Sequence, residues 1–180
     1  MPLRNFCRGV VRIKAERYSE FMPTQDVLRK SPLFNGWKES DLSTLEEFSK
    51  SRGLSAGETL FHEGEEADSF YIIVSGTMQV KKNTRNGNEE ALTTLGTGTF
   101  FGELSMFHKE TATEKRSATA HAMETSKLLE VPYQDFETFL EKSPDAARHF
   151  YKNIAIHLAS RIRQTSEDLA GLRALKLRHF

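Results

Sequence analysis

The sequence predicts an α+β chain that is mainly β, in which a sandwich or barrel of short strands lies between helical segments. Between about residues 50 and 131, short apolar runs alternate with turn signals, a pattern typical of many short strands. Residues 24–49 and the chain after Pro132 instead carry apolar residues at helical spacing. These changes divide the chain into an N-terminal extension (1–23), a β-rich unit (24–142) and a C-terminal helical segment (143–180).

The composition restricts the class of protein. A chain of 180 residues suits one domain with an appendage. Lys plus Arg and Asp plus Glu each number 25, and this zero net charge argues against a dedicated nucleic-acid-binding protein. The single cysteine, Cys7, excludes an internal disulfide and a set of thiolate metal ligands. No apolar run approaches the roughly 18 residues of a membrane span. We therefore expect a soluble, cytoplasmic protein with no membrane partner and no cofactor.

The N-terminal extension is basic and ends at Pro23. Phe6, Val10 and Ile13 fall at helical spacing, which favours a short amphipathic helix. Such a helix would contact a partner or an acidic surface. Alternatively, it packs on its own domain or frays as a tail.

A helix is predicted immediately before the first strands. Ser40 can cap a helix that runs through Leu42, Leu45 and Phe48. Acidic residues early in this segment suit the positive end of the helix dipole.

The strand region contains one run that is apolar on both faces. Phe70, Ile72 and Val74 alternate with Tyr71, Ile73 and Ser75, so this strand is expected to be buried. Asn86-Gly87 indicates a tight hairpin, because both residues tolerate the positive φ of such turns.

Helices are predicted again after Pro132. Phe136, Phe139 and Leu140 form one apolar face, and Ser143-Pro144 suits the start of a second helix. On this helix, residues at alternating spacings of three and four form a coiled-coil seam, namely Ala155, Leu158, Ile162, Thr165, Leu169 and Leu172. The seam favours pairing with another chain, and the alternative is a single helix laid on the β-rich unit.

One stretch combines groups suited to a small anion. Arg116 offers a planar fork of donors that matches two phosphate oxygens. Small residues at Gly102, Ser117 and Ala118 allow backbone N–H groups to approach an anion. Glu103 would repel a phosphate, so it suits hydroxyl donors such as those of a ribose. The combination indicates a sugar phosphate or nucleotide of low charge.

These residues resemble the phosphate-binding cassette of the cyclic-nucleotide-binding domain, a module shared by bacterial cyclic-AMP receptor proteins and the regulatory subunits of cyclic-AMP-dependent kinase. The resemblance covers roughly residues 30 to 175. Its motifs stand in order along the chain: Ser31-Pro32-Leu33-Phe34, Ala56-Gly57-Glu58-Thr59-Leu60-Phe61-His62-Glu63-Gly64-Glu65, Ser69-Phe70-Tyr71-Ile72-Ile73-Val74-Ser75-Gly76, Gly96-Thr97-Gly98-Thr99-Phe100-Phe101-Gly102-Glu103-Leu104 and Arg116-Ser117-Ala118-Thr119. With this resemblance, the expected fold is an antiparallel, jelly-roll-like β-roll flanked by short helices, with a long C-terminal dimerisation helix.

The resemblance also implies roles for individual residues. Arg116 and Ser117 would bind the phosphate and Glu103 the ribose 2′-hydroxyl, while Val80, Leu92 and Thr93 would wall the base pocket or else be ordinary core. Arg161 would lie near Glu103, and Thr165 and Ser166 of the partner chain would bond the adenine amino group. A polar defect that only sets helix register is the alternative for Thr165. Ser117 stands where a hydroxyl favours guanine in some members, so cyclic GMP stays open behind cyclic AMP.

One loop departs from the pattern that the resemblance implies. The segment from Phe107 to Lys115 is a few residues longer than in the usual cassette and is richly charged. It would alter the lid over the phosphate or admit a larger ligand such as a cyclic dinucleotide.

No catalytic motif accompanies these features. His62-Glu63 is not followed by His at the zinc-protease spacing, and no Gly-x-Ser-x-Gly element is present. The chain ends at Phe180, about where a transcription factor of this family begins its helix-turn-helix domain. We therefore expect a non-enzymatic, homodimeric receptor for cyclic AMP that signals through an effector protein and does not bind DNA directly. The alternatives are a degenerate β-roll that only dimerises, the sensor portion of a longer effector and, more remotely, a haem sensor.

Overall fold

Two short helices precede the strands in the computed structural model, which describes residues 24–84, 86–111 and 115–176. They are α1 (Thr24–Lys30) and α2 (Glu39–Phe48), joined by a 3₁₀ turn at Pro32–Phe34. The predicted cap at Ser40 is wrong, because α2 begins at Glu39 and Lys38 is its N-cap residue. The reason is that Asp41 Oδ2 accepts the Lys38 N–H at 3.0 Å, which starts the helix earlier. The helix predicted within 1–23 lies outside the described residues.

In the part of the chain that the structure describes, eight strands form two four-stranded antiparallel sheets, which confirms the predicted β-roll. The strands are β1 (Lys50–Leu54), β2 (Thr59–Phe61), β3 (Ser69–Ser75), β4 (Met78–Asn83), β5 (Glu89–Leu95), β6 (Phe100–Phe101), β7 (Thr119–Ala122) and β8 (Ser126–Pro132). One sheet has the order β1-β8-β3-β6 and the other the order β2-β7-β4-β5. Because sequence neighbours are split between the sheets, distant segments such as β4 and β7 meet.

The central strand β3 is buried along its whole length, as its apolar pattern predicts. Phe70 and Ile72 point into a cluster shared with the helices, whereas Tyr71 and Ile73 belong to a second cluster between the sheets. Each large apolar side chain buried in this way contributes about 1.5–3 kcal/mol. The strand therefore joins the helical layer to the interior of the roll.

The hairpin predicted at Asn86-Gly87 connects β4 and β5. Thr84 N–H donates to Asn88 O at 2.8 Å, and Gly87 N–H donates to Thr84 O at 2.9 Å. Gly87 has a φ of +78°, which favours glycine at that position. The hairpin carries β5 alongside β4, where both strands form one wall of a pocket described below.

Two helices follow the last strand. They are α3 (Tyr133–Lys142), in which the predicted apolar face of Phe136, Phe139 and Leu140 is buried, and α4 (Pro144–Lys176). Helix α4 has 33 residues, a length of about 50 Å. Asn153 fastens it to the 3₁₀ turn, since Nδ2 donates to Leu33 O at 3.0 Å and to Asn35 O at 2.8 Å.

The second half of α4 extends beyond the part that the roll covers. Every described side chain from 159 to 170 is exposed, whereas Phe150 and Ile154 nearer the start are buried. Of the predicted seam, Leu158 is half-buried and Ala155, Ile162, Thr165 and Leu169 are exposed, while the side chain of Leu172 lies outside the described set. The apolar seam is therefore uncovered in the single chain. Within the described residues, no helix combines the length and apolar character needed to cross a membrane.

Candidate functional site

A pocket of about 310 Å³ lies where the β4–β5 hairpin, the segment after β6 and the second half of α4 meet. This volume is at the lower end of the range of small-molecule sites. Its walls comprise Phe61, Val80, Leu92, Thr93, Leu95, Thr99, Phe100, Phe101, Gly102, Glu103, Leu104, Ser105, Arg116, Ser117, Ala118, His157, Arg161, Gln164, Thr165 and Asp168. The β-roll and α4 therefore build the site together.

Arg116 reaches this pocket from the segment before β7 and is only 4% exposed. Its Nη1 donates to Ser69 O at 2.7 Å, and its Cζ lies 4.2 Å from the centre of the Phe61 ring and 5.4 Å from that of Tyr71. Aromatic faces stabilise a cation held over them. Arg116 is therefore a buried cation.

Among the residues that the structure describes, the charge of Arg116 is only weakly compensated. The nearest described carboxylate oxygen, Asp68 Oδ1, lies 4.0 Å from Nη2, and the Asp68 side chain is 92% exposed. Among the described residues, Arg116 Nε has no hydrogen-bonding partner. A buried donor without a partner costs free energy, so an anion in the pocket would stabilise this guanidinium.

Gly102 lies directly against Arg116. Its φ is +83°, and a Cβ at this position would stand 2.9 Å from Arg116 Nη1. Glycine is needed here both for the backbone conformation and for the close approach. Ser117 and Ala118 line the same end of the pocket, so the small residues predicted to surround an anion come together around the guanidinium.

Glu103 carries a buried carboxylate in the same pocket as the Arg116 guanidinium, and only 2% of its surface is exposed. Burial raises its pKa, and its own backbone N–H and the Arg161 cation partly oppose that shift. Arg161 Nη1 donates to Glu103 Oε1 at 3.3 Å from the same chain's α4, where half of the arginine side chain is exposed. The site thus places a carboxylate that can accept from hydroxyls in the same pocket as the Arg116 guanidinium.

The hairpin supplies the less polar wall. Val80 on β4 and Thr93 on β5 are direct partners in the sheet register, and both line the pocket. Leu92 stands at the rim with 58% of its surface exposed. Leu104, which follows Glu103, is half-buried and also lines the pocket.

Thr165 and Ser166 differ in their placement on α4. Thr165 lines the pocket, and its hydroxyl donates to Arg161 O at 3.0 Å. Ser166 does not line this chain's pocket, and its hydroxyl donates to Ile162 O at 2.9 Å. The structure therefore brings together all the predicted site residues except Ser166.

Three polar residues of α4 were missed from the sequence: His157, Gln164 and Asp168 all line the pocket. The His157 ring lies 4.5 Å from that of Phe100, and burial together with the nearby Arg161 cation lowers its pKa. Gln164 Nε2 donates to Asp168 Oδ1 at 3.1 Å. Their spacing in the sequence could have identified them, because together with Arg161 they form a second stripe of residues three and four apart on the helix.

The charged loop is described only in part. A 3₁₀ helix spans Glu103–Thr111, residues 112–114 lie outside the described set, and Lys115 forms a bridge with Glu66. The expectation of an altered lid thus falls partly on residues that are not described. No group of three or more His, Cys, Asp or Glu among the described residues is arranged to hold a metal ion.

Comparison with known proteins gives matches over this same region. A model of the family described as cyclic nucleotide-binding domain matches residues 51–143. The cyclic AMP receptor protein of Thermus thermophilus is 28% identical over 142 residues, which are 79% of this chain and 62% of that relative. The cAMP-activated global transcriptional regulator CRP of Pasteurella multocida is 32% identical over 114 residues, or 63% of this chain and 51% of the relative.

A solved structure agrees with these matches. The Thermus thermophilus catabolite activator protein superposes with a TM-score of 0.67 at 29% identity, covering 79% of this chain and 63% of that structure. This chain thus spans between about half and three fifths of the length of the curated relatives reported above.

Proposed function

The chain belongs to the cyclic nucleotide-binding domain family, and from that premise we propose that it is a receptor for cyclic AMP. The observation that carries the proposal is that Arg116 and Glu103 both line one pocket. A cyclic phosphodiester brings one negative charge to the guanidinium, whose fork matches two phosphate oxygens. The ribose 2′-hydroxyl of the same ligand donates to the buried carboxylate.

The favoured base is adenine. Val80 and Leu92 offer apolar surface on which a base can lie, and the polar stripe of α4 lines the same pocket. Because Thr165 lines the pocket of its own chain, in the proposed complex it accepts from the adenine amino group in place of the partner's Thr165 that the resemblance implies. The relatives named for cAMP support this choice, and cyclic GMP and cyclic dinucleotides are the competitors to test against it.

We also propose that the receptor is a homodimer that pairs along α4. At about 100° per residue, the stripe that lines the pocket (157, 161, 164 and 168) and the seam (155, 158, 162 and 169) lie about 120° apart on the helix. Thr165 falls between the two faces, and Ser166 lies nearer the seam. Ser166 would thus contact the ligand held by the other copy rather than its own.

In the proposed mechanism the ligand joins the roll to α4. Binding to Arg116 and Glu103 on one side and to α4 on the other favours one placement of the helix, because a ligand stabilises the arrangement that it binds better. An effector protein would read that placement. The role is regulatory and not catalytic, like that of the matched regulators, requires no resident cofactor and belongs to the cytoplasm.

Calorimetric titration of cyclic AMP and of cyclic GMP tests the proposal. The wild type should bind cyclic AMP more tightly, and Arg116→Ala should weaken that binding by about 30-fold or more, since losing one partner of a buried charged pair costs roughly 2–5 kcal/mol. Arg116→Lys should be nearly as weak, because an ammonium lacks the planar fork.

The matched control is Arg163→Ala. Arg163 is exposed on α4 and does not line the pocket. The substitution therefore removes one positive charge, as Arg116→Ala does, without changing the site. Its affinity should equal that of the wild type. A folded wild-type protein that binds neither nucleotide would instead support a β-roll that serves only for dimerisation.

A further inference from the structure

Tyr133, the first residue of α3, connects that helix to the backbone of the candidate phosphate site. Its side chain is buried, with 3% exposed, and its ring stacks on Phe70 with 6.5 Å between centres. Its N–H donates to Asp68 O at 2.8 Å. Its hydroxyl donates to the carbonyl oxygen of Gly102, 31 residues earlier in the chain.

That hydroxyl is a dependable donor. Burial raises the pKa of Tyr133 to about 12, although the Arg116 cation and a hydrogen bond from Ser105 act in the opposite direction. The group therefore stays protonated at any pH near neutrality. Its direction is also set, because both the ring and the main-chain N–H of Tyr133 are held by neighbours.

The bond to Gly102 has a consequence for Glu103. A trans peptide group is planar, so its C=O and its N–H point in opposite directions. When Tyr133 holds the Gly102 carbonyl, the Glu103 N–H is turned the other way, and this N–H lowers the pKa of the carboxyl on its own side chain. One hydroxyl thus orients a peptide group whose two ends serve different parts of the structure.

Gly102 itself puts no side-chain limit on the rotation of this peptide. Gly102 has no side chain and a φ of +83°, and glycine crosses between backbone conformations more readily than any other residue. The guanidinium of Arg116 packs against the same glycine, with Nη1 at 2.9 Å from the place of a Cβ. Rotation of the Gly102–Glu103 peptide would therefore disturb the groups on both sides of it.

We propose that Tyr133 is a positioning residue that holds the Gly102–Glu103 peptide in the orientation that binds the ligand. The proposal rests on the proposed function, because it deepens the account of the same site. It adds a residue of α3, outside the pocket wall, to the set that determines affinity. It also links α3 to the orientation of the Gly102–Glu103 peptide.

The test compares Tyr133→Phe with Thr138→Val. Phenylalanine keeps the buried ring and removes only the hydroxyl, and Thr138 lies on the same helix with its hydroxyl donating to Gln134 O at 2.8 Å. Calorimetric titration should show about tenfold weaker binding of cyclic AMP to Tyr133→Phe, the size expected for loss of one hydrogen bond to a buried group. Thr138→Val should bind like the wild type.

A second measurement separates positioning from a general loss of stability and needs no ligand. Amide hydrogen exchange at Glu103 should accelerate in Tyr133→Phe and remain unchanged in Thr138→Val, while exchange in the core strand β3 stays as in the wild type. In the unsubstituted protein, the carbonyl carbon of Gly102 should show the NMR shift of a hydrogen-bonded group.

The role of Tyr133 and the proposed function can each fail without the other. If the wild type binds no cyclic nucleotide, the proposed function fails, and the Glu103 exchange still decides whether Tyr133 orients the peptide. Wild-type affinity in folded Tyr133→Phe, unchanged Glu103 exchange, or an unshifted Gly102 carbonyl would each overturn the inference.

Discussion

Arg116 and Glu103 bring opposite charges into one pocket, yet each has a different neighbour. Arg116 donates to a main-chain carbonyl and lies under aromatic rings, whereas Glu103 pairs with Arg161 from α4. Buried charges are costly unless they are paired and hydrogen-bonded. Because neither compensation is complete, a ligand that carries one anionic group and hydroxyl donors improves both environments.

The pH dependence of stability should report the burial of Glu103. Burial raises its pKa, so its contribution to the free energy of unfolding is fully present below the ordinary pKa and is lost as pH rises through the raised value. The Tm of the ligand-free wild type should therefore fall relative to that of Glu103→Gln as pH rises above the ordinary glutamate pKa of about 4.3. Scanning calorimetry measures the difference.

Glu90→Gln, on the exposed part of β5, controls for the loss of one negative charge. Its Tm should run parallel to that of the wild type over the same range. Parallel curves for Glu103→Gln and the wild type would show that the folded state does not raise the pKa of Glu103.

At the scale of elements, α4 performs two tasks along its length. Its first half is fastened to the 3₁₀ turn by Asn153 and packs through Phe150 and Ile154. Its second half contributes pocket residues on one face and carries an exposed apolar seam on another. An exposed apolar stripe of this kind favours association, since burying it removes apolar surface from water.

The proposed dimer predicts that Ile162→Glu yields a monomer. Ile162 lies on the seam with 68% of its surface exposed, and a carboxylate there would be desolvated in a paired coil. Ile156→Glu is the matched control, because Ile156 is 59% exposed on another face of the same helix. Sedimentation equilibrium should find the control dimeric. A dimeric Ile162→Glu, or a monomeric wild type, would contradict pairing along this seam.

In the whole molecule, the pocket lies where the roll meets the long helix, with β3 linking two apolar clusters behind it. A ligand bound there contacts segments that are far apart in the chain. It therefore stabilises the folded state as a whole, by an amount fixed by its concentration relative to Kd.

Thermal denaturation should show this stabilisation. At a concentration 100 times its Kd, cyclic AMP should add about 2.7 kcal/mol, which raises Tm by roughly 5–11 °C for a chain of this size. Arg116→Ala at the same nucleotide concentration should show a much smaller rise. A wild-type Tm that is insensitive to cyclic AMP, cyclic GMP and cyclic dinucleotides would favour the dimerising module without a ligand.

Local pattern was enough to predict several elements. The two-faced apolar run identified β3, Asn86-Gly87 located a hairpin, and Pro144 marked the start of α4. The start of α2 was placed wrongly, because several nearby polar residues can cap a helix and Asp41 acts here in place of Ser40. Signals of this kind act over a few residues, so the sequence displays them directly.

The sequence by itself determined the mainly-β fold with helices at both ends and the residue types of the anion site, since periodicity, turn glycines and a motif are local properties. Tertiary structure alone decided that Arg116 bonds Ser69, 47 residues earlier, and that Tyr133 holds Gly102. It also placed His157 in the pocket and left Ser166 outside it. The physical reason is that these contacts depend on how the two sheets and α4 pack in space, which no short stretch of sequence specifies.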